Sequence, residues 1–243
     1  MKSRYRVIAV VGVLAAVVLA LAIVGWRAGW LGKPAPLALA ENPHRAGTPA
    51  HEAFAAYQVK LQANPAFVAL MESAGTPEEG LKRGMDLTQK GVRRLPDAAL
   101  EDRLRMMLAL MRTGDDAECA TLAQGAPPNG DVQGFVALMF GLLDRVDADL
   151  AKRWYDLTLD AAIAELEQHP IPPVPAGYRE RLGALMVNNL AREDLDVLIA
   201  MSEQRLLGLG DDERCDVGQK VLALILDQPE PERGNYARLM AQP

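Results

Sequence analysis

Apolar and polar positions divide the chain into zones of different periodicity. From Val7 to Trp26 no residue is charged. At 1.5 Å rise per residue, about 20 apolar residues span a hydrocarbon core roughly 30 Å thick, so the stretch predicts one transmembrane helix over residues 7–26. Val7 and Val24 fall inside that span. Trp26 and Trp30 suit the headgroup layer, where an indole keeps its ring in apolar surroundings and its N–H wet. Lys2, Arg4 and Arg6 precede the span, against Arg27 and Lys33 after it. That bias places the N-terminal residues 1–6 in the cytoplasm.

A proline-rich tether is expected over 27–49, carrying Pro34, Pro36, Pro43 and Pro49 among small and polar residues. In polyproline II form, at about 3.1 Å per residue, it reaches up to roughly 50 Å. Ala38-Leu39-Ala40 has the small-x-small form that signal peptidase accepts, so a cleaved, secreted or periplasmic product is the alternative. The apolar run is longer than a secretory signal needs, which favours retention as an anchor.

Beyond the tether the pattern is helical throughout. Thr76-Pro77-Glu78-Glu79 supplies an N-cap, a proline at N1 and a capping-box glutamate, starting a helix that runs to about Arg94. Asp97 opens the next, with Leu100, Leu104, Met107, Leu108 and Met111 on one face and Gly114 as its C′ glycine. A short helix over 116–124 precedes the Pro127-Pro128-Asn129-Gly130 turn. Phe135 to Leu143 is apolar on every side and predicts the central core helix. Asp147 or Asp149 caps a long helix to about Gln168.

His169-Pro170-Ile171-Pro172-Pro173-Val174-Pro175 cannot be helical, because each proline lacks an N–H and restricts its predecessor. It reads as a rigid connection, with docking to an aromatic-lined groove as the other use of such a segment. Further helices are expected at 177–190, 192–207, 211–227 and 231–241. The expected class is all-α: one membrane helix, a linker, then an orthogonal or solenoid-like array of about 8 to 9 helices. The break at 170–176 divides it into helical subdomains at 50–169 and 177–243.

One internal similarity stands out. Gly114-Asp115-Asp116-Ala117-Glu118-Cys119 recurs as Gly210-Asp211-Asp212-Glu213-Arg214-Cys215, and the chain has 2 cysteines in all. Upstream, Leu87, Val92, Leu95, Leu100 and Met106 align with Leu182, Val187, Leu190, Leu195 and Met201. Two pseudo-repeated units of helix, helix and Gly-Asp-Asp-started helix follow from this alignment. In both copies the second aspartate is the expected N-cap, which places the cysteine at N3.

Three readings of Cys119 and Cys215 are open. A disulfide is the most economical in an oxidising compartment. Two buried thiols are the plain alternative, and a redox or metal role is the third. If the bond forms, Asp115, Asp116, Asp211 and Asp212 come near one another and offer oxygen ligands for a hard cation, although capping is their commoner use.

Charge narrows the partners. The first 33 residues hold no acid and five of the 26 Lys and Arg, leaving 21 against 32 Asp and Glu, a formal −11 for the rest. Such a surface repels phosphate backbones and anionic headgroups, which excludes nucleic acid and favours a partner with a basic face.

Catalytic chemistry is sparse. There is no G-x-S-x-G elbow, phosphate-binding glycine loop or H-E-x-x-H, and no cofactor motif. His44 in the tether, His51 in a first helical turn and His169 beside the proline break lack partners at ligand spacing, so all three are expected at the solvated surface. Glu72-Ser73, ending an apolar helical stretch, resembles the Glu-Ser pair of lytic transglycosylases, and Gly234-Asn235-Tyr236 resembles their aromatic C-terminal motif. The resemblance implies peptidoglycan cleavage with Glu72 as general acid. It covers these few residues only, and the Gly-Leu-Met-Gln segment that should follow is missing.

The expectation is therefore a non-enzymatic module of a bacterial-type envelope. It is anchored in the inner membrane by one helix, with the C-terminal domain in the periplasm, and binds an envelope protein as adaptor, accessory subunit or immunity-like inhibitor. Its oligomeric state is left open.

Overall fold

The computed structural model describes residues 41–74, 76–125 and 131–242. The expected membrane span, with Val7, Val24, Trp26 and Trp30, lies outside the described residues, as do the tether up to residue 40 and the turn at 126–130. The described residues hold α1 (Pro49–Gln62), α2 (Pro65–Glu72), α3 (Pro77–Val92), α4 (Asp97–Thr113), α5 (Asp116–Gln124), α6 (Val132–Leu143), α7 (Ala148–Leu166), α8 (Tyr178–Asn189), α9 (Arg192–Ser202), α10 (Asp211–Leu226) and α11 (Glu232–Met240), and no strand. The class is all-α. None of these helices is long and apolar enough to cross a membrane.

The helix starts follow their caps. Thr76 Oγ1 accepts the Glu79 N–H at 3.2 Å and Asp147 Oδ1 the Leu150 N–H at 2.8 Å, as the sequence expects. Asn64 and Pro65 add a further start: Asn64 Oδ1 accepts from the amides of Ala66 and Phe67, separating α2 from α1.

Three expectations are corrected. Gly114 ends α4 in extended backbone (φ −74°), not the left-handed form, which Gly125 adopts after α5 at φ 67°. The helix expected to reach residue 207 stops at Ser202, where Gln204 at φ 56° turns the chain and leaves Leu207 fully exposed. Finally, α6 is not buried all round. Ala137 and Gly141 face solvent and Val132 is 40% exposed, so small residues form an outer face opposite Phe135, Met139 and Leu142.

Contacts gather the chain into two units, each made of separate stretches. The N-terminal unit takes residues 41–95 and 136–170; the disulfide unit takes 96–135 and the chain from 171. The proline-rich segment is one crossing point. The others fall between Leu95 and Pro96 and inside α6, where no break was expected. Residues 96–135, expected in the first subdomain, thus join the second.

In the N-terminal unit α1 and α3 both pack along α7. The approach of α3 is close enough to require glycine: a Cβ on Gly91 would sit 1.8 Å from the Ala161 carbonyl oxygen. One turn on, Arg94 Nε donates to Glu165 Oε2 at 2.6 Å.

In the disulfide unit α10 lies along α5 and α4. Gly218 makes that contact possible, since a Cβ there would stand 2.5 Å from Ala123 Cβ. Two ion pairs fix α11 on α4: Arg238 Nε with Asp97 Oδ1 at 2.7 Å, and Arg233 Nε with the buried Glu101 Oε2 at 2.6 Å. The two segments aligned as a repeat each form three successive helices, α3-α4-α5 and α8-α9-α10, but they pack differently. Helix α3 packs on α7, whereas α8 packs on α11.

Candidate functional site

Helices α5 and α10 bring the two cysteines together. Cys119 and Cys215 form a disulfide with S–S 2.04 Å and Cα–Cα 5.1 Å across a sequence separation of 96. Both are buried, Cys119 completely and Cys215 to 6% exposure. The Gln219 amide lies over the bond, its Nε2 donating to Cys215 Sγ at 3.1 Å and Cys119 Sγ at 3.4 Å.

The caps differ from expectation in register. Asp115, the first aspartate, caps α5, with Oδ1 accepting the Glu118 N–H at 2.9 Å and Glu118 Oε2 accepting the Asp115 N–H at 2.9 Å. In α10 the cap is Gly210, whose N–H donates to Glu213 Oε2 at 2.8 Å. Cys119 is therefore at N4 and Cys215 at N5, not N3. The glutamate at N3 is the feature both turns share, because its carboxylate satisfies an amide that the helix leaves orphaned.

The aspartates do not gather into a cation site. Asp115 is held by its own cap, Asp211 pairs with Arg214, and Asp116 and Asp212 are exposed. Among the described residues no three His, Cys, Asp or Glu side chains are placed to hold a metal ion.

The residues resembling a lytic enzyme fall in different units. Glu72 is exposed at the end of α2, so its carboxyl lacks the apolar housing that keeps a general acid protonated. Ser73 donates to the Leu70 carbonyl at 2.8 Å and accepts from Arg83. Gly234, Asn235 and Tyr236 belong to the other unit. There Asn235 Nδ2 donates to the Tyr178 hydroxyl at 3.1 Å and Tyr236 meets Tyr178 edge-on at 5.6 Å.

The chemically distinctive centre of the N-terminal unit is His44. Its expected place on a solvated tether is corrected: the ring is buried, with the residue 4% exposed. Nδ1 lies 2.8 Å from Asp144 Oδ1, and Nε2 meets the Tyr155 hydroxyl. A carboxylate only accepts, so Nδ1 carries the proton and donates, leaving Nε2 to accept from the Tyr155 O–H. Phe140 and Phe54 meet the imidazole edge-on at 5.0 and 5.8 Å. Asp144 takes further hydrogen bonds from the Arg45 N–H and the Thr48 hydroxyl, each at 3.1 Å. Asn42 closes the turn: its Oδ1 accepts the His44 N–H at 3.1 Å, and its Nδ2 donates to the His51 carbonyl at 2.8 Å. His169 is exposed, as expected, whereas His51 is half-buried.

Burial lowers the His44 pKa from 6.5, outweighing the Asp144 carboxylate beside it. The same burial raises Tyr155, with Tyr57 and Asp144 adding to the shift, and raises Tyr57. All three side chains are therefore uncharged at neutral pH. The Tyr57 hydroxyl is buried with no hydrogen-bond partner among the described residues. The arrangement fastens residues 42–48 onto α1, α6 and α7. Sequence reasoning missed it because the partners of His44 lie 100 and 111 residues away. The only local hint is Thr48-Pro49, a cap and N1 proline that start α1 earlier than a tether would allow.

No family model, characterised protein or solved structure matches the chain.

Proposed function

We propose that the chain is a membrane-anchored, exported helical module that binds another envelope protein as adaptor, accessory subunit or immunity-like inhibitor. The observation that carries this reading is the buried Cys119–Cys215 bond joining α5 to α10. Disulfides persist in oxidising compartments and are rare in reducing ones, so the bond supports a domain outside the cytosol. The charge-free stretch 7–26, with its basic N-terminal flank, supports one crossing of an inner membrane with the N-terminus in the cytoplasm.

Binding follows from surface and charge. The formal −11 beyond residue 33 suits a partner with a basic face. Exposed apolar side chains at Val59, Val187 and Ile199 on helices, and at Leu207 in the turn after α9, offer contact area. The lytic reading loses its support with Glu72 in water.

A reporter enzyme that is active only when exported, fused behind Pro243, tests the placement. Activity in intact cells is expected; activity of a cytosol-only reporter at the same site refutes it. The mass of the mature chain separates an anchor from cleavage after Ala40. Cross-linking in intact cells is then expected to recover one stoichiometric envelope protein, and random neighbours alone count against the binding role.

A further inference from the structure

His44 is a titratable group sealed among aromatic rings, and both of its ring nitrogens are committed. In the neutral form every polar atom of the ring is satisfied: Nδ1–H by Asp144, Nε2 by the Tyr155 hydroxyl. A second proton turns Nε2 into a donor. Tyr155 must then reverse from donor to acceptor, and its own proton loses the His44 acceptor in a cluster where the Phe54 and Tyr57 rings pack on the Tyr155 ring at centroid distances of 5.4 and 5.5 Å.

The groups facing His44 are Asp144 at the end of α6, Tyr155 from α7, and Tyr57 and His51 from α1. Arg45 and Thr48 belong to its own segment. Asp144 is the single anion among them, and the Arg45 amide and Thr48 hydroxyl already share its oxygens. A protonated His51 adds repulsion. Burying the imidazolium thus costs more than the one carboxylate returns.

We propose that residues 41–48 are an acid-released clasp: protonation of His44 expels the segment from its seat on α1, α6 and α7 and leaves it free to extend. Its burial-lowered pKa agrees with this direction. Helices α3 and α7 stay joined by the Gly91 contact and by Arg94, neither of which involves the clasp, while α1 loses the Thr48 cap at its first turn. Release adds eight residues to the leash, roughly 25 Å at about 3.1 Å per residue in extended form. That lengthening rests on the membrane-anchored reading, but the release does not.

The test is hydrogen exchange on the full chain in detergent between about pH 7.5 and about pH 5. After correction for intrinsic exchange, protection of the Arg45 and Thr48 amides is expected to fall by up to about tenfold per pH unit below ~6.5, while α7 stays protected. His44→Gln removes that slope and His51→Gln keeps it. Constant protection in the wild type, or an unchanged slope in His44→Gln, overturns the clasp. If His44→Gln does not fold, the wild-type imidazole resonance decides. Loss of Arg45 protection at the same midpoint supports the proposal, and a titrating ring beneath a still-protected amide refutes it. A chain found in the cytosol ends the anchored reading without altering these outcomes.

Discussion

The two units are closed by different chemistry. The disulfide unit fastens segments 96 residues apart with a covalent bond that no change of pH loosens. The N-terminal unit fastens its first residues with three side chains, His44, Asp144 and Tyr155, whose bonds depend on the proton count. Both solve the same problem, holding together stretches distant in sequence. The disulfide is sensitive to reductant and indifferent to acid, and the histidine cluster is the reverse. Each can therefore be broken while the other is watched.

The largest effect is expected from the covalent closure. Replacing both cysteines by alanine restores the loop entropy of the unfolded chain and should cost about 4 kcal/mol, less any strain relieved. Denaturant melts read by exchange protection in α5 and α10 will measure it. Protection at Arg45 should not move, and an equal loss in both units would mean that they do not respond separately.

Next comes the helix contact of the N-terminal unit. Gly91→Ala drives a methyl into the Ala161 carbonyl, so α3 must shift from α7 at a cost of about 2 to 3 kcal/mol. A denaturation midpoint that stays in place would show the approach to be looser than 1.8 Å implies.

Acid sensitivity is smaller and has a fixed sign. The folded pKa of His44 lies below its ordinary 6.5, so the unfolded chain takes up the proton first as pH falls. The stability this group contributes is present above pH 6.5 and is lost as pH drops through the lower, folded value, at no more than about 1.4 kcal/mol per pH unit. Melts of the wild type and His44→Gln across that window should converge in acid. Parallel curves would locate the sensitivity elsewhere. The smallest effect is a gain. Gly141 is exposed in α6, and a methyl added there would meet no atom within 4 Å, so alanine should stabilise the helix by about 0.5 to 1 kcal/mol. A thermal melt of Gly141→Ala that falls below the wild type would show that this face is covered.

What the sequence displays is local physics. Thr76-Pro77, Asp97, Asp147 and the prolines at 170–175 mark helix starts and a break because caps, fixed φ and missing amides act within a turn of the residue that carries them. The cysteine pair was legible because the chain holds 2 cysteines. His44 was not, since nothing near Pro43 announces Asp144 or Tyr155. The outer face of α6 was hidden for another reason: glycine and alanine count as apolar in a periodic pattern, yet Ala137 and Gly141 have little surface to bury and sit in water at small cost. The Asp115 and Gly210 caps show the same limit in register. Two six-residue segments that look alike begin their helices one position apart.

The central claim is that this domain folds outside the cytosol with Cys119 bonded to Cys215. Cells quenched in acid, denatured, and treated with a mass-adding maleimide before and after reduction test it directly. The account predicts no added mass until reductant is supplied and two additions afterwards. Two additions before reduction would contradict it.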